Sequence, residues 1–331
     1  MMKEKLKSVF KLNKTKALYL ALLVLAAVFS LSSPVFLSYN NLMAILRQVT
    51  VTGVCAVGAT FVLIAGGVDL SVGAMISLCG MTIGFLNVKY GVNIWICAVI
   101  AVAFCVLIGL FNGLIVAKVK LIALVVTMAT AKVIEGVVYT VSGGMPIGGI
   151  DKGIRFLGQG RIWIFPVPVL ILFLSMYVGY FILNKCYIGR HIYACGGSEN
   201  AARLSGIHTD KVKILCYGLC GFFTGISGLI MLGRVNSAQP NTGLGDEAMN
   251  VMTAVMLGGA SFMGGGSVMG TIAGVLIIGT LNNGLLLLGC NDYIQTAAKG
   301  VVLLIAICFD PLQKNIAARI RTKEYVKKHN L

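Results

Sequence analysis

A chain of 331 residues that is 58% hydrophobic and only 11% charged is not a water-soluble domain, whose charged fraction lies near a quarter. The formal net charge of +16 would invite a nucleic-acid partner in a soluble protein. Here the basic residues sit mostly in the ends and short polar breaks, where membrane topology and anionic lipid account for them, so nucleic acid is excluded. The class this leaves is an all-α, polytopic membrane protein.

Residues 1–16 form a basic tail with Lys3, Lys5, Lys7, Lys11, Lys14 and Lys16, which the positive-inside rule places in the cytoplasm. The apolar run that follows lacks a small-residue cleavage site and reads as an uncleaved first span, from Ala17 to about Ser33. Pro34 stops it. Span 2 covers about Leu42 to Ala65 and returns to GGVDLSVG at Gly66 to Gly73. Spans 3 (about Leu70 to Val88) and 4 (about Asn93 to Ala117) pair across an outer turn, and Lys118 and Lys120 mark an inner loop. Span 5 takes Leu121 to about Val141, and the Gly-rich Ser142 to Trp163 is too polar and interrupted to cross a bilayer.

Span 6, about Ile164 to Leu183, leads to the longest polar break in the chain, Asn184 to Lys213. Its basic residues make it cytoplasmic. Within it, Glu199 to Leu204 has the signals of a short helix, with Ser198 placed to cap its start and Gly206 just past its end. Span 7 (about Val212 to Gly233) leads out to SAQPNTG at Ser237 to Gly243. Span 8 (about Ala248 to Gly259) is shorter than the roughly 20 residues of a full crossing and is expected to be short, tilted or partly re-entrant. Span 9 runs from about Val268 to Leu288 and span 10 from about Tyr293 to Phe309, and residues 311–331 form a second basic tail. The ten spans and their loops make one membrane domain, residues 17–310, with both ends cytoplasmic. Lys89, Lys152, Arg155, Arg161 and Arg234 are the only basic residues this topology assigns to the outer side.

Asp69 is costly beside apolar spans unless paired, hydrated or near the surface. One reading is a helix cap on span 3, the carboxylate accepting N–H groups two and three residues on, with Ser71 in the first turn; the other is a broken helix beside a transport path, and both can hold. Gly66, Gly67 and Gly73 free the backbone around it. Lys132 and Glu135, three apart in span 5, share a face as a structural ion pair or as part of a pathway. Lys299, Asn282 and Asn283 carry the same two readings. Gly109 with Gly113, Gly221 with Gly225, and Gly270 with Gly274 have spacings that let helices pack closely. Cys216 and Cys220, four apart, read as small packing residues, since a metal site needs more ligands. No GxxxxGK[ST], HExxH or GxSxG occurs, so the chain carries neither a P-loop for ATP nor a hydrolase signature.

Six ordered motifs resemble the membrane permease of ribose/xylose/galactose-type ABC importers: GGVDLSVGAMISL (Gly66 to Leu78), GLFNGLIVAKVKL (Gly109 to Leu121), GRHIYACGGSENAARLSGI (Gly189 to Ile207), NSAQPNTGLG (Asn236 to Gly245), GGASFMGGGSVMGTIAGVLIIGTLNNGLLLLG (Gly258 to Gly289) and AAKGVVLLIAI (Ala297 to Ile307). The resemblance covers about Asn40 to Pro311. It implies ten spans in the bacterial plasma membrane and a second permease, identical or related. A cytoplasmic ATPase that alone binds and hydrolyses ATP and an extracytoplasmic sugar-binding protein complete the assembly. The permease itself is then no enzyme and holds no cofactor. Contacts with the ATPase are implied at Gly189, Arg190, Tyr193, Gly196, Glu199, Ala201, Ala202, Arg203, Leu204 and Gly206; Ala201 and Ala202 leave one face small enough to seat in a groove, and Arg203 can make charge-assisted hydrogen bonds to carboxylates there. The translocation path or helix break is implied at Gly67, Asp69, Ser71, Gly73, Asn282 and Asn283. The chain departs from the pattern at Asn200, where Glu is frequent, at Ile122 and Ala123, where prolines are usual, and at Glu135, where Arg is frequent. The function expected is import of a ribose-like pentose or related monosaccharide. The alternatives are a nucleoside or other small polar solute, or an intramembrane enzyme with an acid–base set in a polar cavity.

Overall fold

In a computed structural model, residues 14–304 are described, and they fold almost wholly into helices. These are α1 (Lys14–Ser32), α2 (Tyr39–Ile64), α3 (Val72–Gly84), α4 (Ile94–Leu114), α5 (Ala123–Ser142), α6 (Arg155–Gln159), α7 (Val167–Asn184), α8 (Tyr187–Gly197), α9 (Glu199–Leu204), α10 (Thr209–Val235), α11 (Glu247–Leu257), α12 (Val268–Leu287) and α13 (292–304). Wider π-type turns extend α3 through Phe85–Lys89 and α4 through Ile115–Val119. The stretch between α5 and α7 holds α6 and a two-strand hairpin, β1 (Arg161–Ile162) and β2 (Phe165–Pro166). Among the described residues eight helices are long and apolar enough to cross a membrane. Of the tenth expected span, α13 is the described part; its remainder, residues 1–13 of the first basic tail and the second basic tail, 311–331, lie outside the described residues.

Helix starts follow local chemistry. Ser38 accepts the Asn41 N–H, Asn93 the Trp95 N–H and Ser267 the Gly270 N–H, each satisfying a first-turn donor. α10 is the central post: it packs on α2, α3 and α4, and Cys216, Tyr217, Cys220 and Phe223 on it are buried. The close approach of α4 and α10 uses two of the small-residue spacings against each other. A Cβ on Gly109 would lie 2.2 Å from the Tyr217 carbonyl oxygen, and one on Gly221 would lie 2.2 Å from the Cys105 carbonyl oxygen. The third spacing does the same for α12 on α11, where a Cβ on Gly274 would lie 2.0 Å from the Ala254 carbonyl oxygen.

One crossing is split. After α10 ends at Val235, the chain turns back: Ala238 pairs with Ile147 near the end of α3, where a Cβ on Gly84 would meet the Ala238 Cβ at 2.6 Å. Further along, Gly243 donates its N–H to Ser77 at 2.8 Å, and its carbonyl oxygen would lie 2.3 Å from a Cβ on Gly73. The segment 238–243 thus runs antiparallel to α3 from its last turn to its first, down into the bundle, and only then does α11 begin. At eleven residues α11 rises about 16 Å, half of a bilayer core. This is the short helix the sequence predicts, and the chain that precedes it is a run of turns and bends packed along α3.

Candidate functional site

The starts of two interrupted helices meet inside the bundle. α2 ends where Gly66 takes φ +85, a conformation that favours glycine. The chain then folds under Tyr217, whose hydroxyl donates to the Val68 carbonyl at 2.9 Å; a Cβ on Gly67 would lie 2.7 Å from that hydroxyl oxygen. Asp69, 1% exposed, accepts at Oδ1 from the Ser71 N–H at 2.9 Å and the Ser71 hydroxyl at 2.5 Å. Ser71 Oγ in turn accepts from Asn112 Nδ2 at 3.0 Å, and Asn112 Oδ1 from the Thr130 hydroxyl at 2.7 Å. The Leu70 N–H donates to Thr127 Oγ1 at 3.2 Å. A turn of seven residues between α2 and α3 is therefore tied to α4, α5 and α10.

Of the two readings for Asp69, the cap on α3 is not what forms. Ser71 stands at the capping position with helical dihedrals and no capping bond. Two residues separate Asp69 from the first helical residue, so its carboxylate reaches the N–H two positions on and no further. The result is a local turn that fixes the entry angle of α3 and leaves Oδ2 buried without a partner among the described residues. Asn112, Thr127 and Thr130 were missed in the sequence because each looks like an isolated polar residue in an apolar run.

The start of α11 faces this turn: a Cβ on Gly73 would lie 3.5 Å from the Ala248 nitrogen. Glu247 accepts from the Thr52 hydroxyl at 3.2 Å, and the adjoining Asp246 receives Lys299 at 3.4 Å. Helix starts carry partial positive charge, and here each has an acid close by. Of the two amides singled out in α12, Asn283 forms a reciprocal pair with Asn41, both bonds 2.9 Å, which fastens α12 to α2. Asn282 instead lines a polar cavity beside Glu247. Lys132 and Glu135 pair at 2.7 Å on the surface of α5, where the Lys132 side chain is 79% exposed.

The second group of residues lies at the end of the bundle carrying α8 and α9. Ser198 caps α9, accepting the Ala201 N–H at 3.3 Å, and Gly206 takes φ +84 just past its end. Gly189 and Gly196 are close-packing positions: a Cβ on Gly189 would lie 2.1 Å from the Leu183 carbonyl oxygen, and one on Gly196 would overlap the Ile64 carbonyl at the end of α2. Tyr193 donates to the Gly266 carbonyl at 2.9 Å; burial pushes its phenol up, so it remains a donor. α8 is thus seated on the end of α2 and on the 258–267 turn between α11 and α12, and α9 packs against α8 and α10.

Two details differ from the reading of this loop. Ala202 is buried against the bundle rather than presented outward. Arg203 is not free: its guanidinium contacts Glu199 at 3.3 Å, Asp210 at 3.0 Å and Thr209 at 3.1 Å. Glu199 is further held by Lys213 at 2.5 Å. α9 exposes Asn200, Ala201, the ion-paired Arg203 and Leu204, the last 91% exposed, while Arg190 is exposed on α8.

Comparison with known proteins gives a consistent result. Residues 41–308 match the model of the family described as branched-chain amino acid transport system / permease component. The chain is 40% identical to the ribose import permease protein RbsC of Haemophilus influenzae, over 88% of this chain and 91% of that one. It is 39% identical to the protein of the same name in Bacillus subtilis, with the same coverage. To the L-arabinose transport system permease protein AraH of Escherichia coli it is 33% identical, over 92% of this chain and 93% of the other. No solved structure matches.

Proposed function

We propose, because this chain belongs to the branched-chain amino acid transport system / permease component family, that it is the membrane-spanning subunit of an ATP-driven importer of a pentose or related monosaccharide. The observation that carries this reading is the identity of about 40% to ribose import permeases over nearly nine-tenths of the chain. The xylose and L-arabinose permeases among its relatives keep the substrate class at monosaccharides.

In this reading the end bearing α8 and α9 faces the cytoplasm and receives a separate ATPase, and an extracytoplasmic binding protein delivers the sugar to the opposite end. The exposed Leu204 and Ala201 are the contact with the ATPase, while Arg203, Glu199, Asp210 and Lys213 hold α9 rigid enough to transmit a push. That push arrives at the end of α2 through Gly196 and at the 258–267 turn through Tyr193. From there the Asp69 turn and α11, the two interrupted elements, are each one connection away. Interrupted helices are the parts of a bundle that reshape at small cost, since their backbone groups are already paired outside a continuous helix.

A second membrane chain covers α5. A Lys132 ammonium exposed halfway along a span is costly against lipid, and a protein neighbour or a wet path between two copies relieves that cost. The test of the whole reading is uptake of labelled D-ribose, D-xylose and L-arabinose by cells co-expressing this chain with its ATPase and binding protein. Uptake of at least one sugar that vanishes when the ATPase is omitted supports it; uptake independent of the ATPase overturns it.

A further inference from the structure

We propose that each protomer contains its own weak binding site for a monosaccharide-sized, uncharged polyol, in the cavity between α2, α10, α11, α12 and α13. The inference rests on the importer reading and adds to it a location within the protomer, apart from the exposed α5 face.

The cavity has a volume of about 380 Å³, at the small end of the range of roughly 300–1,000 Å³ for small-molecule sites. Its wall carries four amides, Gln48, Asn250, Asn282 and Gln295. An amide offers both donors and an acceptor, which matches a hydroxyl that is itself both. Of the charged groups on the wall, Arg234 and Lys299 stand against Glu247, and Lys299 is paired with Asp246, which lies outside the lining, at 3.4 Å. With Lys299 paired and Arg234 facing an acid across the wall, the cavity favours a neutral solute over a free anion or a cation. The remaining lining is mostly aliphatic, from residues such as Val49, Met231 and Ile278, and among the described residues it presents no aromatic face on which a nucleobase would stack.

One wall group is left wanting. Asn282 Oδ1 is buried, and no donor among the described residues reaches it. Buried acceptors in native proteins are almost always satisfied, and a solute hydroxyl entering the cavity supplies the donor. The cavity also borders the start of α11, since Glu247 both lines it and accepts from Thr52. A movement of the 258–267 turn at the other end of α11 therefore reaches the wall that holds the solute. Weak binding suits this place, because a solute that is held tightly is not released.

The test uses the purified full chain in lipid nanodiscs with D-ribose, D-xylose, L-arabinose and D-galactose as probes, read by saturation-transfer NMR. At least one sugar should give a saturable signal in the millimolar range, and Asn282→Leu and Gln48→Leu should each weaken it about tenfold. Lys152→Ala, exposed between α5 and α6, should leave it unchanged. A variant that fails to elute as folded protein is replaced by the other, so the comparison stands on whichever remains intact. No signal from any of the four sugars, or an unchanged signal in the folded cavity variants, overturns the site. Cellular uptake separates the two levels: wild-type transport with Asn282→Leu matching its rate and half-saturation overturns the cavity site alone, whereas no uptake by the wild type overturns the importer reading with it.

Discussion

The guanidinium of Arg203 lies 3.0 Å from Asp210 Oδ1, closing α9 onto the first turn of α10. This ion pair makes the exposed helix part of the membrane bundle rather than a pendant on it. With Glu199 bridging Arg203 and Lys213, the cluster fixes the angle at which Leu204 projects.

The surface role and the bracing role separate by substitution. Leu204→Asp changes a side chain that is 91% exposed, so folding stability should move within about ±0.5 kcal/mol. Recovery of the ATPase in co-purification should nonetheless fall at least tenfold, about 1.4 kcal/mol. Arg203→Gln should lower both stability and coupling, since it releases Glu199 and Asp210. Equal ATPase recovery from Leu204→Asp and wild type would remove α9 as the contact.

At Asp69, the amide variant keeps an acceptor for the Ser71 N–H and hydroxyl, and the apolar one does not. Asp69→Leu should be destabilised by about 1–3 kcal/mol and accumulate poorly, whereas Asp69→Asn should be close to wild type in abundance. Thermal unfolding monitored by size-exclusion chromatography in detergent distinguishes them. Indistinguishable midpoints would mean that the turn is held by the Thr127, Asn112 and Tyr217 bonds alone.

Two glycines predict opposite outcomes for the same change. Gly109→Ala puts a methyl group 2.2 Å from the Tyr217 carbonyl oxygen and should cost about 1–3 kcal/mol as α4 is pushed off α10. Gly136→Ala, in α5 with nothing within 4 Å of the new atom, should be neutral or stabilise by roughly 0.5–1 kcal/mol. Unfolding midpoints of the two variants measure this directly.

The long apolar helices are legible in the sequence because a crossing needs only length and apolarity. The Ser198 to Gly206 unit is legible because capping chemistry is local. The descent of residues 238–243 along α3 is not, since the bond from Gly243 to Ser77 joins positions 166 apart and leaves no periodicity in either segment. Asn112 and Thr130 are hidden for the same reason: only the fold brings them to Ser71. The burial of Ala202 is not legible either, because a six-residue helix is too short for its pattern to say which face is buried. The cap reading of Asp69 rests on its residue type, whereas its distance from the first helical residue, two short of the mark, depends on a turn no local rule specifies.

Topology is tested by cysteine labelling in intact cells with an impermeant maleimide. Leu204→Cys should be labelled only after the cytoplasmic face is opened, and Lys152→Cys, exposed between α5 and α6, without opening. Native Cys195 on α8 should stay silent, since it is buried and burial pushes its thiol up, away from the reactive thiolate. Labelling of both introduced cysteines from one side would reverse an odd number of spans.

The central claim, that a motor acting on α9 drives sugar through this bundle, is tested most directly in proteoliposomes containing this chain and its ATPase, with sugar-loaded binding protein added on the face opposite α9. ATP supplied on the α9 side should drive uptake of labelled pentose, and Leu204→Asp should abolish that uptake while the liposomes retain the same amount of folded permease. Pentose uptake at the wild-type rate without ATP, or by the Leu204→Asp variant, would contradict the account.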